Sequence, residues 1–190
     1  MYGKIRVQIK GLKPGLLINK PPTEEQLKGG IRVGTKGYDK EKEAREKAYI
    51  AVIDGEEQLY IPAVWIYRMM IKAGGIYRIP IGGRRTSASS LLAGGITIEP
   101  EKIPLGHHDY KIDERSAVIQ RSRVWRVRPW LPEWQVTFYM IYDKKLFEDV
   151  LADLKKILED GGIRVGIGDY RPEKKGPFGK FTVEEFEVEE

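Results

Sequence analysis

Leu146, Phe147, Val150, Leu151, Leu154, Ile157 and Leu158 recur at helical spacing between Asp143 and the pair Gly161-Gly162. A helix with one apolar stripe must bury it against a second layer, so this segment sets the problem the rest of the chain has to solve. Asp143 reads as its N-cap, and the glycine pair predicts its end. Lys4 to Lys10 supplies part of the second layer: apolar at 5, 7 and 9 and polar between, it predicts a strand with one buried face. Pro62 ahead of Ala63 to Ala73, closed by Gly74-Gly75, predicts another helix of about three turns. Trp65, Ile66, Met69, Met70 and Ala73 form its expected buried stripe, with Arg68 and Lys72 sharing one face. Ala117 to Arg128 and Trp134 to Tyr142 read as two strands joined through Pro129-Trp130-Leu131-Pro132 in a hairpin. Ile163-Arg164-Val165 begins a further strand, and Lys180 to Val188 returns as the last.

The order strand, helix, two strands, helix, strand is that of an α+β fold, ferredoxin-like or RRM-type βαββαβ, with helices on one face of an antiparallel sheet. One domain is expected over residues 1–190, with insertions at about 14–57 and 76–114. In the first insertion, Thr23 to Gln26 has capping-box spacing and Gly29-Gly30 limits that helix to a turn or two. Asp39 to Lys47 predicts a solvated helix with Glu41–Arg45 and Glu43–Lys47 pairs. In the second, residues 76–106 read as irregular, with a basic, hydroxyl-rich arm from Arg84-Arg85 to Ser90 and a short strand-like Ile96 to Ile98.

The chain has no cysteine, which excludes disulfides, thiolate metal sites and cysteine nucleophiles. No apolar run approaches a membrane span, and the N-terminus leads directly into a strand, so a soluble, cytoplasmic protein without a membrane partner is expected. Charged residues make up 32%, which together with the missing cysteines points to a hot environment. The net charge of +5 is modest, and its distribution is more informative. No acid stands between Gln58 and Ile98, a stretch holding Arg68, Lys72, Arg78, Arg84 and Arg85. None stands between Arg115 and Pro132, where Arg121, Arg123, Arg126 and Arg128 surround Trp125 and Trp130. Acids gather at 39–57 and 184–190, so a positive face and an acidic back are expected. Strict alternation separates Arg121 and Arg123 from Arg126 and Arg128, unless a bulge near Val124-Trp125 brings all four together.

A glycine-rich loop, Gly166, Gly168, Gly176 and Gly179, is interleaved with Arg171, Lys174, Lys175 and Lys180 and with Tyr170, Phe178 and Phe181. Glycine lets phosphates approach backbone N–H groups, cations neutralise them and rings stack bases, a combination that suits a single-stranded nucleic acid. His107-His108-Asp109 lacks the spaced partners of a metal site, and neither metal, cofactor nor catalytic residue is expected.

The segment Gly11-Leu12-Lys13-Pro14 after the first strand, Tyr60-Ile61-Pro62 opening a helix that contains Arg68, and the closing Phe178-Gly179-Lys180-Phe181 resemble the RAMP superfamily of CRISPR-associated RNA-binding proteins. Val165 to Pro172 is similar to the ending of uncharacterised phage and archaeal-virus proteins, Val-Gly-Ile-Gly-Asp-aromatic-Arg-Pro. The resemblance implies an RRM-like fold that grips single-stranded nucleic acid and, in backbone subunits, polymerises along it, with Gly166, Gly168, Gly176 and Gly179 matching the glycine-rich loop. The leading expectation is a non-catalytic binder of single-stranded DNA or RNA, viral or cellular, that coats the strand as a homo-oligomer or filament. Two alternatives stand beside it: a metal-independent endoribonuclease using His107 or His108 as base with Tyr110 or Lys111 nearby, and an assembly protein whose basic face meets an acidic partner.

Overall fold

In the computed structural model, which describes residues 1–28, 39–119 and 122–189 (the backbone alone at 117–119 and 122–124), the alternating N-terminal segment is strand β1 (Tyr2–Gly11). Ile5, Val7 and Ile9 are fully buried on one side of it. The chain continues through β2 (Leu16–Leu17), the short helix α1 (Glu24–Lys28), helix α2 (Lys40–Lys47) and the hairpin of β3 (Ile50–Ile53) and β4 (Glu56–Pro62) into helix α3 (Ala63–Gly74). After α3 come a second hairpin, β5 (Arg78–Ile81) and β6 (Arg84–Ser87), helix α4 (Ala88–Gly95), β7 (Ile96–Glu99) and β8 (Lys102–Pro104). The long pair β9 (Lys111–Ile119) and β10 (Ser122–Leu131) leads to β11 (Gln135–Asp143). Helices α5 (Lys144–Phe147) and α6 (Leu151–Arg164), split by a 3-10 turn at Glu148–Val150, precede the glycine loop and β12 (Phe181–Glu189).

The central sheet has the antiparallel order β12-β1-β11-β7, with α3 and α6 packed together on the face that carries Ile5, Val7, Phe138 and Met140. Read along the chain, β1, α3, β7, β11, α6 and β12 form the ferredoxin-like α+β arrangement. Leu154, Ile157 and Leu158 of the α6 stripe are fully buried, each stabilising by about 2 kcal/mol relative to exposure. The two expected caps are present: Asp143 accepts from the Lys145 N–H, and Thr23 and Gln26 exchange side-chain to backbone hydrogen bonds. Gly29-Gly30 lies outside the described residues. No helix among the described residues is long and apolar enough to cross a membrane.

Four local expectations are corrected. The second strand of the motif is Ile96–Glu99, not Ala117 to Arg128, because β10 pairs with β9 and β2 rather than with β11. β9 carries the charged run Lys111 to Arg115, which masked it as a strand. Residues 76–106 are not irregular: they form β5, β6, α4, β7 and β8, the first two joined across Gly82-Gly83. Ile163-Arg164 continues α6, and Gly161-Gly162 sits inside the helix. A Cβ at Gly161 would overlap Met69 of α3, and one at Gly162 would stand 2.7 Å from the Phe181 carbonyl oxygen, so this pair permits close packing. The helix stops four residues later at Gly166, whose φ of +69° is unfavourable for other residues.

Asp160, on the outer turn of α6, accepts from Arg164 at 2.8 and 2.6 Å and from the Tyr77 hydroxyl at 3.0 Å. The Arg164 hydrogen bonds, with help from Tyr77, hold its carboxyl below the usual range, while burial pushes the Tyr77 phenol up. A carboxyl lowered by folding adds stability above its unfolded value, about pH 4, and loses it as pH falls through the folded value. Asp160→Asn should therefore destabilise by at most about 1 kcal/mol at pH 7, the pair being partly solvent-screened. Urea titration of both proteins should show that difference shrinking as the pH is lowered from the ordinary carboxylate range through the lower folded value.

Candidate nucleic-acid interface

The glycine loop folds onto itself and onto the segment after β1. The Ile167 N–H donates to the Gly179 carbonyl (2.9 Å), the Gly179 N–H to Gly15 (2.8 Å), and the Asp169 N–H to Leu17 (2.8 Å). The N–H groups of Gly166, Gly176 and Phe178 are also satisfied internally, by Gly161, Arg171 and Tyr170. Gly166, Gly176 and Gly179 thus serve tight backbone packing, and their N–H groups are not left to cradle phosphates. Gly168 packs likewise, its φ at +76° and its Cα against Leu16 and the Leu17 carbonyl. Phe178 is 1% exposed, with the Arg115 guanidinium 4.8 Å over its ring, so it is a packing residue rather than a base platform. Tyr170, Lys174 and Lys175 remain at the surface, while Lys180 is half-buried.

The β9–β10 pair runs in unbroken register, without a bulge, placing Arg126 opposite Arg115 and Arg128 opposite Asp113. Arg128 is buried, donates to Asp169 at 2.8 Å and lies 3.5 Å from Asp113. It fastens the hairpin to the glycine loop and is not available to a phosphate. Trp130 is likewise structural: its indole N–H donates to the Pro14 carbonyl at 2.7 Å, and Lys111 lies 5.9 Å over the ring. On the other side, Val127 is buried and its carbonyl accepts from Lys47 of α2. Trp125 is 52% exposed and Arg126 half-buried; Arg121 lies outside the described residues, as does the side chain of Arg123. Removing Arg128 leaves Asp113 with Arg115 and Asp169 with Asn19, so part of the loss is compensated. Arg128→Ala should destabilise by about 2 kcal/mol, below the usual penalty for breaking a buried pair, as read from urea unfolding.

The open face of the central sheet is not the basic surface an RRM-type reading expects. Arg6 pairs with Glu185, Lys4 lies 3.3 Å from Glu189 and 3.8 Å over the Tyr139 ring, and Gln8 donates to Thr137. The glutamates of β12 offset the cations of β1, and Lys4 already covers the Tyr139 ring, which leaves Tyr2 as the exposed ring at the end of β1.

What the structure does bring together is an open groove of about 840 Å³ between the outer face of α3 and the glycine loop. Arg68 and Lys72 line one wall; Gly166, Gly168, Asp169 and Arg171 line the other. Arg171 is held by Glu173 and the Gly168 carbonyl, and Asp169 by Arg128 and Asn19. Lys72 lies 3.8 Å from Glu173, whereas exposed Arg68 has no ion-pair partner among the described residues. Trp65, Tyr49 and Asn19 also line the groove. Trp65 is half-buried instead of belonging to the core stripe, and Tyr49 and Asn19 carried no sequence signal, because only the tertiary fold brings 19, 49 and 65 together. Gly75 and Ser89, which flank the β5–β6 hairpin, line the groove too. That hairpin carries exposed Arg78, Arg84 and Arg85, with Arg78 and Arg85 donating to backbone carbonyls.

His107 and His108 do not line the groove, and among the described residues no three His, Cys, Asp or Glu side chains are grouped to hold a metal. No family model matches the sequence, and no curated protein matches it. Among solved structures, a chain from the cryo-EM structure of the type III-B Cmr-beta complex bound to cognate target RNA resembles it with a TM-score of 0.56 at 14% identity. The match covers 98% of this chain and 60% of that one, so this chain spans about three fifths of that chain's length. At this distance the two share a fold, the mixed α+β arrangement of antiparallel sheets with helices on one face.

Proposed function

We propose that this chain is a non-catalytic binder of single-stranded nucleic acid, RNA in preference to DNA, of the RAMP type. The observation that carries the reading is the α3 groove: an exposed arginine that has no counter-charge among the described residues and a lysine one turn on, beside half-buried aromatic rings. Cations tracking a backbone beside stacking platforms are what single-strand binding requires. The exposed arginines of β5–β6 extend the positive surface from the groove's lining, and Trp125 with Arg126 offers a second contact on the β9–β10 arm. RNA is favoured because the fold neighbour was captured with RNA. Coating as a repeating oligomer fits the opposite signs of exposed Glu184 on β12, which takes no part in the pairs with β1, and the hairpin arginines.

Fluorescence anisotropy with labelled single-stranded RNA, single-stranded DNA and duplex DNA at several salt concentrations tests this. Binding should be tightest to single-stranded RNA, weaken steeply with salt and leave the oligonucleotide intact on a denaturing gel. Cleavage products that vanish on changing His107 or His108 would favour an endoribonuclease; no binding to any strand would leave the basic surface to a protein partner.

A further inference from the structure

At the N-terminal end of α3 the groove changes from charged to aromatic. Trp65 and Tyr49 both line it, with ring centroids 5.4 Å apart and planes at 88°. Tyr60 backs Tyr49 at 5.4 Å and 62°, and the Tyr60 N–H donates to the Tyr49 carbonyl at 3.0 Å, so the rings are held from behind. Among the described residues, neither the Trp65 indole N–H nor the Tyr49 hydroxyl has a hydrogen-bond partner, and neither is a buried orphan. Both rings pack against the core and leave their polar tips open to water or a ligand. Asn19, which lines the same groove, donates its amide N–H to Asp169 at 3.3 Å and keeps its side-chain oxygen as an acceptor.

We propose that this end of the groove is a nucleobase subsite. One unpaired base stacks on the Trp65–Tyr49 pair, and its edge meets the Trp65 N–H, the Tyr49 hydroxyl and the Asn19 amide. Arg68 and Lys72 stand three and seven residues beyond Trp65, rises of about 4.5 and 10.5 Å along the helix, so one helix face engages the base and the phosphates that follow it. Phosphate contacts position a strand without reading it, whereas a base contact adds dependence on the base itself. The proposal rests on the single-strand reading above and gives it a property that charge alone does not.

The test is anisotropy with a single-stranded RNA and the same backbone made abasic throughout, on the wild-type chain and on Trp65→Leu, Tyr49→Leu and the double variant Arg68→Ala/Lys72→Ala. Wild type should bind the abasic strand at least about tenfold more weakly. Trp65→Leu should lose about tenfold on the ordinary strand and nothing further on the abasic one, while the double variant weakens on both. Equal wild-type affinity for the two strands, or unchanged binding of ordinary RNA by folded Trp65→Leu and Tyr49→Leu, would overturn the subsite and leave the groove reading standing. Failure of wild type to bind either strand would overturn both. The two-strand comparison on wild type needs no variant, so it decides the matter even if the substitutions unfold the protein.

Discussion

Gly179→Ala is expected to lower the unfolding free energy by on the order of 4 kcal/mol, with urea denaturation as the measurement. Two costs combine at this position. Gly179 has φ +74°, a conformation that strains any side-chain-bearing residue. A Cβ there would also overlap the Ile167 carbonyl oxygen, a backbone atom fixed within the loop and unable to swing aside. The Gly179 N–H and carbonyl bond to Gly15 and Ile167, so any shift that relieves the overlap breaks the seam joining loop and β1 extension. Gly94, exposed on α4 with open space where its Cβ would stand, is the control: Gly94→Ala should be neutral or stabilise by up to about 1 kcal/mol. If Gly179→Ala instead left stability intact and cost only affinity, the loop would be a ligand clamp and its packing role would be mistaken.

The second large effect is expected from Arg68→Ala/Lys72→Ala, which should weaken single-stranded RNA binding about 10- to 100-fold near 0.1 M salt while leaving the melting temperature within a degree or two. Both side chains are exposed; Arg68 pairs with no acid among the described residues, and the 3.8 Å approach of Lys72 to Glu173 is a surface contact of little stabilising value. The slope of log affinity against log salt should fall by about 1.4, the contribution of two phosphates on a single strand. Removing one cation each from β5–β6 and the β9–β10 arm, as Arg84→Ala/Arg126→Ala, should produce a smaller change than removing the groove pair. The reverse ranking would move the strand out of the groove and onto the hairpins.

Elements with a strong local period were legible in the sequence: β1, β11, β12 and the helices α3 and α6 all follow from apolar spacing and caps. Three of the four strands of the central sheet are among them, whereas the fourth, β7, showed only as a short strand-like segment and its place in the motif was given to Ala117 to Arg128. Pairing partners were harder. β10 has the composition of a central strand, but its partners are a highly charged neighbour and a two-residue strand, neither of which announces itself. The ends of helices misled for a related reason, since a glycine pair marks close packing as readily as a stop, and only the Met69 and Phe181 contacts distinguish the two at 161–162.

The candidate site divided along similar lines. Arg68 and Lys72 were readable as an exposed pair because spacing puts them on one helix face. The status of Arg128, Trp130 and Phe178 was not, because an acid-free stretch of sequence says nothing about acids arriving from elsewhere: Asp113 comes across the hairpin and Asp169 from the loop. Likewise the glycine loop looks like a phosphate cradle until its N–H groups are followed to their partners, most of which lie inside the fold. Trp65 was hidden by belonging to a helix whose neighbouring apolar residues are core, and Tyr49 by lying in an insertion.

The most direct test of the account is to ask where a bound strand lies. Ultraviolet crosslinking of the wild-type protein to single-stranded RNA, followed by peptide mass spectrometry, should place crosslinks on the α3 segment 63–75 and on the peptide containing Tyr49. Crosslinks confined instead to β1 and β11, around Tyr139, would put the strand on the open sheet face and contradict the groove as the binding site.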